Sequence, residues 1–335
     1  MKEYTITIDG GTTNTRCILW DSSQKKMDEE SRAVGVRNTS IDGNNHKLKK
    51  AVKECLDQLL EKNGITYEQV GRIIGSGMIT SDVGITVVPW IAAPAGIKEL
   101  AEHTIDVDLP EICPIPISFI PGIKNSREND NLDMAEAMDI MRGEEVESAA
   151  IIRSCHIGKP MLLVLPGSHN KFVAVDDRGK ITGCLTSISG ELLSSITNHT
   201  IIAKSVHSEF VSEKTYDKEW ILRGYDTAKR VGLGRACFTA RILMLFYTDD
   251  PEKLANFILG AALAEDIKAI HNTTAIHMDS KTQVVVGGKQ PLRTAVADLL
   301  KYDGYFKDIE EFETDGDIPL SAIGAYIVAR EKGIL

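Results

Sequence analysis

The chain has 335 residues, room for two domains at roughly 100–200 residues each, and its 43% hydrophobic and 26% charged residues belong to a folded chain rather than a disordered one. Lys and Arg number 38 against 48 Asp and Glu, a formal charge of −10, which repels nucleic-acid phosphates and anionic membranes but leaves room for a small anion in a local site. No stretch approaches the ~18–20 uninterrupted apolar residues of a membrane helix, and Met1 to Tyr4 open no apolar signal segment, so a cytoplasmic protein with a small-molecule partner, no nucleic acid and no membrane is expected, with a homodimer left open. The six cysteines (Cys17, Cys55, Cys113, Cys155, Cys184, Cys237) stand singly, without a CxxC pair, and read as reduced core residues.

Residues 4–9 alternate in a β-rich pattern, Asp9-Gly-Gly-Thr-Thr-Asn14 is a turn, and Thr15 to Asp21 reads as a second strand. A third short strand is expected near Glu30 to Val36. Leu48, Ala51, Val52, Cys55, Leu56, Leu59 and Leu60 fall on one face of a helix over Asn45 to Lys62. A buried strand, Arg72 to Ser76, leads into a Pro- and Gly-punctuated stretch to Gly96. Residues 105–135 are rich in Pro, Asn and Asp and read as a passage between domains 1–135 and 136–335, with a helix beginning near Met138 and running to about Ser154.

The second half repeats the opening: strand Met161 to Leu165, turn Pro166-Gly-Ser-His-Asn170, strand Lys171 to Asp176, strand Lys180 to Ser187, then a helix from Gly190 to about Ile202. Two strand–glycine turn–strand units about 157 residues apart predict a duplicated α/β architecture around one cleft. Helices fill the chain to about residue 280, followed by strand Gln283 to Val286, the turn Gly287-Gly288, a helix over Leu292 to Leu300 and a last helix from Leu320 to about Glu331.

The opening loop offers close backbone approach at Gly10 and Gly11 and three polar side chains, Thr12, Thr13 and Asn14. Successive N–H groups in such a turn form an anion nest, and a Cβ would hold a phosphate away. Asp9 beside a phosphate makes sense if Mg²⁺ sits between them; a plain Asp-Gly hairpin is the simpler alternative. The second turn supplies Pro166, Gly167, Ser168, His169 and Lys171. Paired across a cleft, two such turns fit a nucleoside triphosphate. Val284-Val-Val-Gly-Gly288 is a third turn exposing backbone, at Gly287 and Gly288, where a base or ribose can lie flat.

Asp9 to Asn14 and Val284 to Gly288 resemble the phosphate and adenosine motifs of the sugar kinase, actin and Hsp70 superfamily. More specifically, Met141-Arg-Gly-Glu-Glu145, Leu165-Pro-Gly-Ser-His-Asn-Lys-Phe172 and Ser189-Gly-Glu-Leu192 resemble the 2-dehydro-3-deoxygalactonokinase family, as do Ile120-Pro-Gly122 and Gly77-Met78. The resemblance covers essentially the whole chain. It departs at Gly10 and Phe172, where the family commonly has Trp, at Ser168 and Ser189, where it has Thr, and at Lys289, where a small residue is expected; the family's later Gly and acidic residue fall on Ala264 and Asp266.

The resemblance implies two ribonuclease-H-like domains closing on ATP, the N-terminal one on the sugar-acid side, and Mg²⁺-dependent phosphorylation of 2-dehydro-3-deoxy-D-galactonate to its 6-phosphate in galactonate breakdown. A kinase for another sugar acid, or a nucleotide-binding sensor or ATPase, are the alternatives. Phosphoryl transfer needs one carboxylate to accept the acceptor's proton. Glu144, then Asp139, then Glu145 are the candidates, near a helix start that favours an ionised carboxylate. Arg142 is a candidate fork onto a substrate carboxylate, with Gly77, Met78, Gly190 and Glu191 lining the acceptor site. His169 and Lys171 are candidate phosphate contacts, and Arg16 is either a phosphate contact or a brace for the loop.

Overall fold

The computed structural model describes residues 3–126, 132–155, 158–314 and 318–333. Residues 127–131 of the expected inter-domain passage lie outside them.

The first half holds β1 (Tyr4–Gly10), β2 (Thr15–Trp20), β3 (Lys26–Arg32), α1 (Val36–Asp42), α2 (His46–Asn63), β4 (Val70–Gly77), β5 (Ile91–Ala92), α3 (Ile97–Glu102), β6 (Ile105–Val107), β7 (Ile117–Phe119), β8 (Ile123–Lys124) and β9 (Ile140–Met141). The second holds α4 (Glu144–Ser154), β10 (Met161–Leu165), β11 (Asn170–Val175), β12 (Ile181–Ser187), α5 (Ser189–His199), α6 (Ala203–Val206), α7 (Lys218–Val231), α8 (Leu233–Phe246), α9 (Pro251–Asn272), β13 (Gln283–Val286), α10 (Leu292–Asp303), β14 (Asp308–Glu311) and α11 (Leu320–Glu331).

The duplication appears in the strand order. One sheet runs β3-β2-β1-β4-β7-β6 and the other β12-β11-β10-β13-β14. In each, three antiparallel strands lead through the first of them to two parallel neighbours, β1 to β4 to β7 and β10 to β13 to β14. This is the ribonuclease-H-like arrangement, twice. Strands β5, β8 and β9 form a small third sheet.

Burial explains the strand sequences. The five residues of β10, Met-Leu-Leu-Val-Leu, are all buried, as expected of a strand covered on both faces. One cluster packs the apolar face of α2 against the first sheet, through residues such as Leu56, Ile8 and Ile73. A second joins the two sheets, with Ile74 on one side, Leu163 and Val285 on the other, and Val146 of α4 and Val328 of α11 between. A third buries α7, α9 and α10 against the far face of the second sheet. Helices α7 and α9 touch backbone to backbone: a Cβ on Gly224 would lie 1.9 Å from the Phe257 carbonyl oxygen, and one on Gly260 1.9 Å from that of Ile221.

Three expectations are corrected. The third strand is Lys26–Arg32, earlier than Glu30 to Val36, and α1 occupies the residues after it. Residues 105–124 are no linker, since β6 and β7 complete the first sheet. The helix expected from Met138 begins only at Glu144, because Gly143 takes φ +123°, a backbone that breaks the helix, and Ile140–Met141 pair as β9 instead. All six cysteines are free, five of them buried.

Candidate active site

A cleft of about 670 Å³ runs from the tip of the first sheet to the helices outside the second. It opens where strand ends meet. Asp9 and Gly10 end β1, paired with Arg16 and Thr15 on β2 and with Ser76 and Gly77 on β4. Gly11 and Thr12 continue the wall; Thr13 and Asn14 are exposed at the loop tip, bonded to each other at 3.1 Å. The loop is closed by Gly11 N–H donating to the Asn14 carbonyl at 2.9 Å. A Cβ on Gly10 would meet Ile79 Cγ2 at 1.8 Å, so Ile79 occupies the space that a larger residue there would need.

Opposite lie Pro166, Gly167, Ser168 and His169, followed by Gly190. A Cβ on Gly190 would sit 2.1 Å from the Gly167 carbonyl oxygen, so the start of α5 rests directly on the second turn. That turn is fixed by a buried network: Gly167 N–H donates to Asn170 Oδ1 (2.8 Å), Asn170 Nδ2 to Asp266 Oδ2 (2.6 Å), and Ser189 Oγ to Asp266 Oδ1 (2.6 Å). Burial pushes the Asp266 carboxyl up, against hydrogen bonds from Ser187, Ser189 and Asn170. Gly288, at φ +85°, completes the floor, while Gly287 packs behind it against Leu165 and Ile151. Beyond Gly288 the walls turn apolar, with Leu193, Phe210, Val211, Leu259 and Leu292 around Lys289 and Gln290. A slot of this kind takes a flat base on apolar side chains and exposed backbone.

At the other end three carboxylates face the cleft: Asp9, Glu144 and Glu147. Asp9 Oδ2 accepts from Ser321 Oγ at 2.8 Å, across the junction between β1 and α11. Burial raises its pKa above the ordinary value and the Glu144 charge adds to that, against the Ser321 bond and Arg16. Glu144 lines the cleft and accepts from the Arg142 backbone N–H at 3.2 Å through Oε2. Glu147, one turn further along α4, is pushed to about 8 by burial first and then by Glu144, Asp9 and Glu145, with Lys289 opposing. The close approach of the ends of β1 and β4 here needs glycine. Gly77 has φ +83°, and a Cβ on it would lie 2.8 Å from the Gly10 carbonyl oxygen.

Two of the three proton-acceptor candidates are spent elsewhere. Asp139 accepts from the Thr186 hydroxyl at 2.8 Å, from the Thr186 N–H at 2.5 Å and from the Ile140 N–H at 2.7 Å, and does not line the cleft. Glu145 is fully buried, accepts from Gly143 N–H at 2.6 Å, and is pushed to about 8 by burial and the Glu144 charge. Neither do Lys171 and Arg142 play the expected parts. Lys171 is buried, donating to the Ile140 carbonyl at 2.7 Å and to Thr186 Oγ1, because its β11 position points it under the turn. Arg142 lines the cleft but lies 4.4 Å over the Trp90 ring and spends both terminal nitrogens on Thr80 and on the Val88 carbonyl (2.9 Å), so it braces the wall and presents no free fork. His169 lines the cleft with Nε2 3.1 Å from Glu191 Oε1, while Glu191 stays outside it. Arg16 stands opposite Asp9 in the β1–β2 ladder and acts on it as a charge. Met78 lines the cleft.

Glu147, Lys289 and Ser321 are site residues that motif reading passed over. Glu147 follows Glu144 by three residues, which places both on one helical face; the Lys289 signal was its charge directly after the paired glycines. Ser321 carries no signal, since only tertiary packing brings α11 to β1.

The residues fit a divalent cation. Asp9, Glu144 and Glu147 form a hard-oxygen, acidic end of the cleft, in which burial first and the Glu144 charge with it raise the pKa of Asp9 and Glu147. Among the described residues no three His, Cys, Asp or Glu side chains are close enough to cage a metal alone, and Mg²⁺ is commonly held by one or two carboxylates with water and phosphate oxygens supplying the rest.

The model of one family, 2-keto-3-deoxy-galactonokinase, matches residues 9–314. The chain belongs to this family. Relatives of the family include the 2-dehydro-3-deoxygalactonokinase of Escherichia coli (strain K12), 26% identical over 270 residues, 81% of each chain. Another is the Rhizobium meliloti (strain 1021) protein named "Probable 2-dehydro-3-deoxygalactonokinase DgoK1", 28% identical over 207 residues, 61% of this chain and 59% of the other. The crystal structure of a Sinorhizobium meliloti protein assigned to the same kinase class superposes with a TM-score of 0.74 at 20% identity, covering 97% of this chain and 96% of that one; that likeness is one of fold. No helix among the described residues is long and apolar enough to cross a membrane.

Proposed function

We propose that this protein is a kinase that transfers the γ-phosphoryl group of ATP to the 6-hydroxyl of 2-dehydro-3-deoxy-D-galactonate, with Mg²⁺, as a cytoplasmic step of galactonate breakdown. The observation that carries it is the placement of Glu144 in a family-matched chain: a carboxylate at the start of α4, facing a cleft walled by two glycine turns. Residues 1–135 then form the sugar-acid side and 136–335 the nucleotide side. The base lies in the apolar slot beside Gly288. The phosphates pass between the Gly10-Gly11-Thr12 and Gly167-Ser168 turns, where glycine lets them approach the backbone closely, while the Gly11 and Gly167 N–H groups hold the turns themselves in shape.

Mg²⁺ bound near Asp9 would neutralise β- and γ-phosphate charge. Glu144 accepts the proton of the acceptor hydroxyl as that oxygen bonds to the γ-phosphorus; the bond from phosphorus to the bridging oxygen breaks and ADP leaves. Glu147, held protonated by its surroundings at neutral pH, adds no second negative charge on the line of attack. Lys289 supplies a cation at the nucleotide end.

Incubation with ATP, Mg²⁺ and the keto acid should release ADP in step with phosphorylated acceptor. ADP release no faster than in the absence of any acceptor would sink the reading and favour a nucleotide-binding sensor or ATPase. Faster turnover with a different sugar acid would move the substrate and keep the chemistry.

A further inference from the structure

The two helices that lie between the sheets run from the cleft to a second hollow. Helix α4 sets Glu144 and Glu147 at the cleft and ends with Ile152 and Arg153 at a groove of about 840 Å³. Helix α11 sets Ser321 at the cleft and, ~14 Å further along its axis, Arg330 at the same groove. No residue lines both. The groove's walls come from both halves of the chain, with Trp20 of β2 and the first turn of α3 on one side and the turn between β11 and β12 on the other.

The lining of this groove is apolar and cationic together. Ile323, Tyr326 and Ile327 share one face of α11 with Arg330, and the Tyr326 ring packs 5.3 Å from that of Trp20. Five Lys and Arg side chains line the groove against two Glu, in a chain whose formal charge is −10. Three of the cations are already paired, Lys98 with Glu102 (3.8 Å), Arg178 with Asp176 (3.3 Å) and Lys180 with Glu99 (2.5 Å). Arg153 and Arg330 are exposed and make neither an ion pair nor a side-chain hydrogen bond among the described residues, which leaves two free guanidinium groups against the single carboxylate of Glu331. A guanidinium holds an anionic group by a planar pair of N–H bonds, while the body of the same ligand covers the apolar side chains beside it. The volume is that of a small-molecule site, and such sites favour the junctions of domains.

We infer that this groove binds a small anion with an apolar ring or chain, and that such a ligand acts on the cleft. It rests on the far ends of α4 and α11, whose near ends carry Glu144, Glu147 and Ser321. Because it touches both halves of the chain, it binds one setting of the halves better than another, and a difference of that kind is what couples two sites. The groove is separate from the cleft, so its occupancy does not depend on the kinase reading, and the coupling is read as nucleotide affinity rather than turnover.

Titration of the full chain with anilinonaphthalene sulfonate, an aromatic anion that fluoresces on leaving water, tests the groove. With ADP filling the cleft, the wild type should bind one probe per chain. Phenylnaphthylamine, the same body without the sulfonate, should bind more weakly by roughly ten-fold or more, because no charge meets the guanidinium groups. Arg153→Gln with Arg330→Gln should weaken the sulfonate by a similar factor and leave circular dichroism unchanged. Calorimetric titration should show the probe changing the affinity for ADP by roughly five-fold or more, ADP changing that of the probe by the same factor, and the double variant losing the linkage. A sulfonate bound as tightly by the double variant, or no more tightly than the neutral analogue, would overturn the groove as an anion site. Equal affinity for ADP with and without the probe would overturn its link to the cleft.

Discussion

Glu144 and Glu147 sit one turn apart and are cast in opposite roles by their surroundings. Glu144 lines the cleft and accepts a backbone N–H bond, whereas Glu147 is raised to about 8 by burial and by its acidic neighbours. Glu144→Gln preserves shape and removes proton acceptance, so turnover should fall by roughly 10²–10⁴ while nucleotide affinity stays within a few-fold. Near-wild-type turnover would remove Glu144 from the role. For Glu147 the consequence is in stability. A carboxyl raised from 4.5 to about 8 on folding binds more protons folded than unfolded between those values, so it lowers stability as pH rises through that window and adds nothing further above it. Glu147→Gln removes this penalty. In calorimetry without ligands its melting temperature relative to wild type should rise steadily from pH 5 to pH 8 and then level off; a difference constant with pH would contradict the assigned surroundings.

At the scale of elements, the second glycine turn depends on a residue 96 positions further along the chain. Asp266, inside α9, receives Asn170 and Ser189 and thereby ties the turn, the start of β11 and the start of α5 to one buried carboxylate. Asp266→Ala leaves both donors without an acceptor, a loss of about 1–3 kcal/mol. Since the turn is what shapes the phosphate path, nucleotide affinity should drop ~10–100-fold, read by calorimetric titration with ADP. Unchanged affinity in a folded variant would show that the turn holds its shape unaided. The sequence made the turn itself legible through Pro166, Gly167 and Asn170, and the strands β10, β13 and helix α11 through their apolar patterns. What it hid was tertiary. Nothing local to Asp139 shows that Thr186 will claim its oxygens, nor that Arg142 will be taken by Thr80 and Val88. The start of α4 was hidden by Gly143, whose φ of +123° keeps the residues before it out of the helix.

On the scale of the whole molecule, the duplicated sheets were legible because each half carries its own glycine turn at the end of its first strand, and strand periodicity survives in both. Their mutual position was not, because it rests on α4 and α11, which fill the space between the sheets. These two helices meet closely: a Cβ on Gly324 would lie 1.7 Å from the Val146 carbonyl oxygen. Each also delivers a residue to the acidic end of the cleft, Glu144 from α4 and Ser321 from α11. The two sheets therefore grip the cleft from opposite sides through a thin helical layer, and a ligand touching both turns at once gains contacts only if they approach. Phosphoryl transfer adds a reason to close, since water competes with the acceptor hydroxyl. On the proposed reading a non-hydrolysable ATP analogue alone contacts mainly the second half, and the acceptor alone mainly the end near Met78 and Glu144. Small-angle scattering should thus show a smaller radius of gyration with both ligands than with either. Identical curves in all four states would mean that the cleft is already closed and that water is excluded by the acceptor itself.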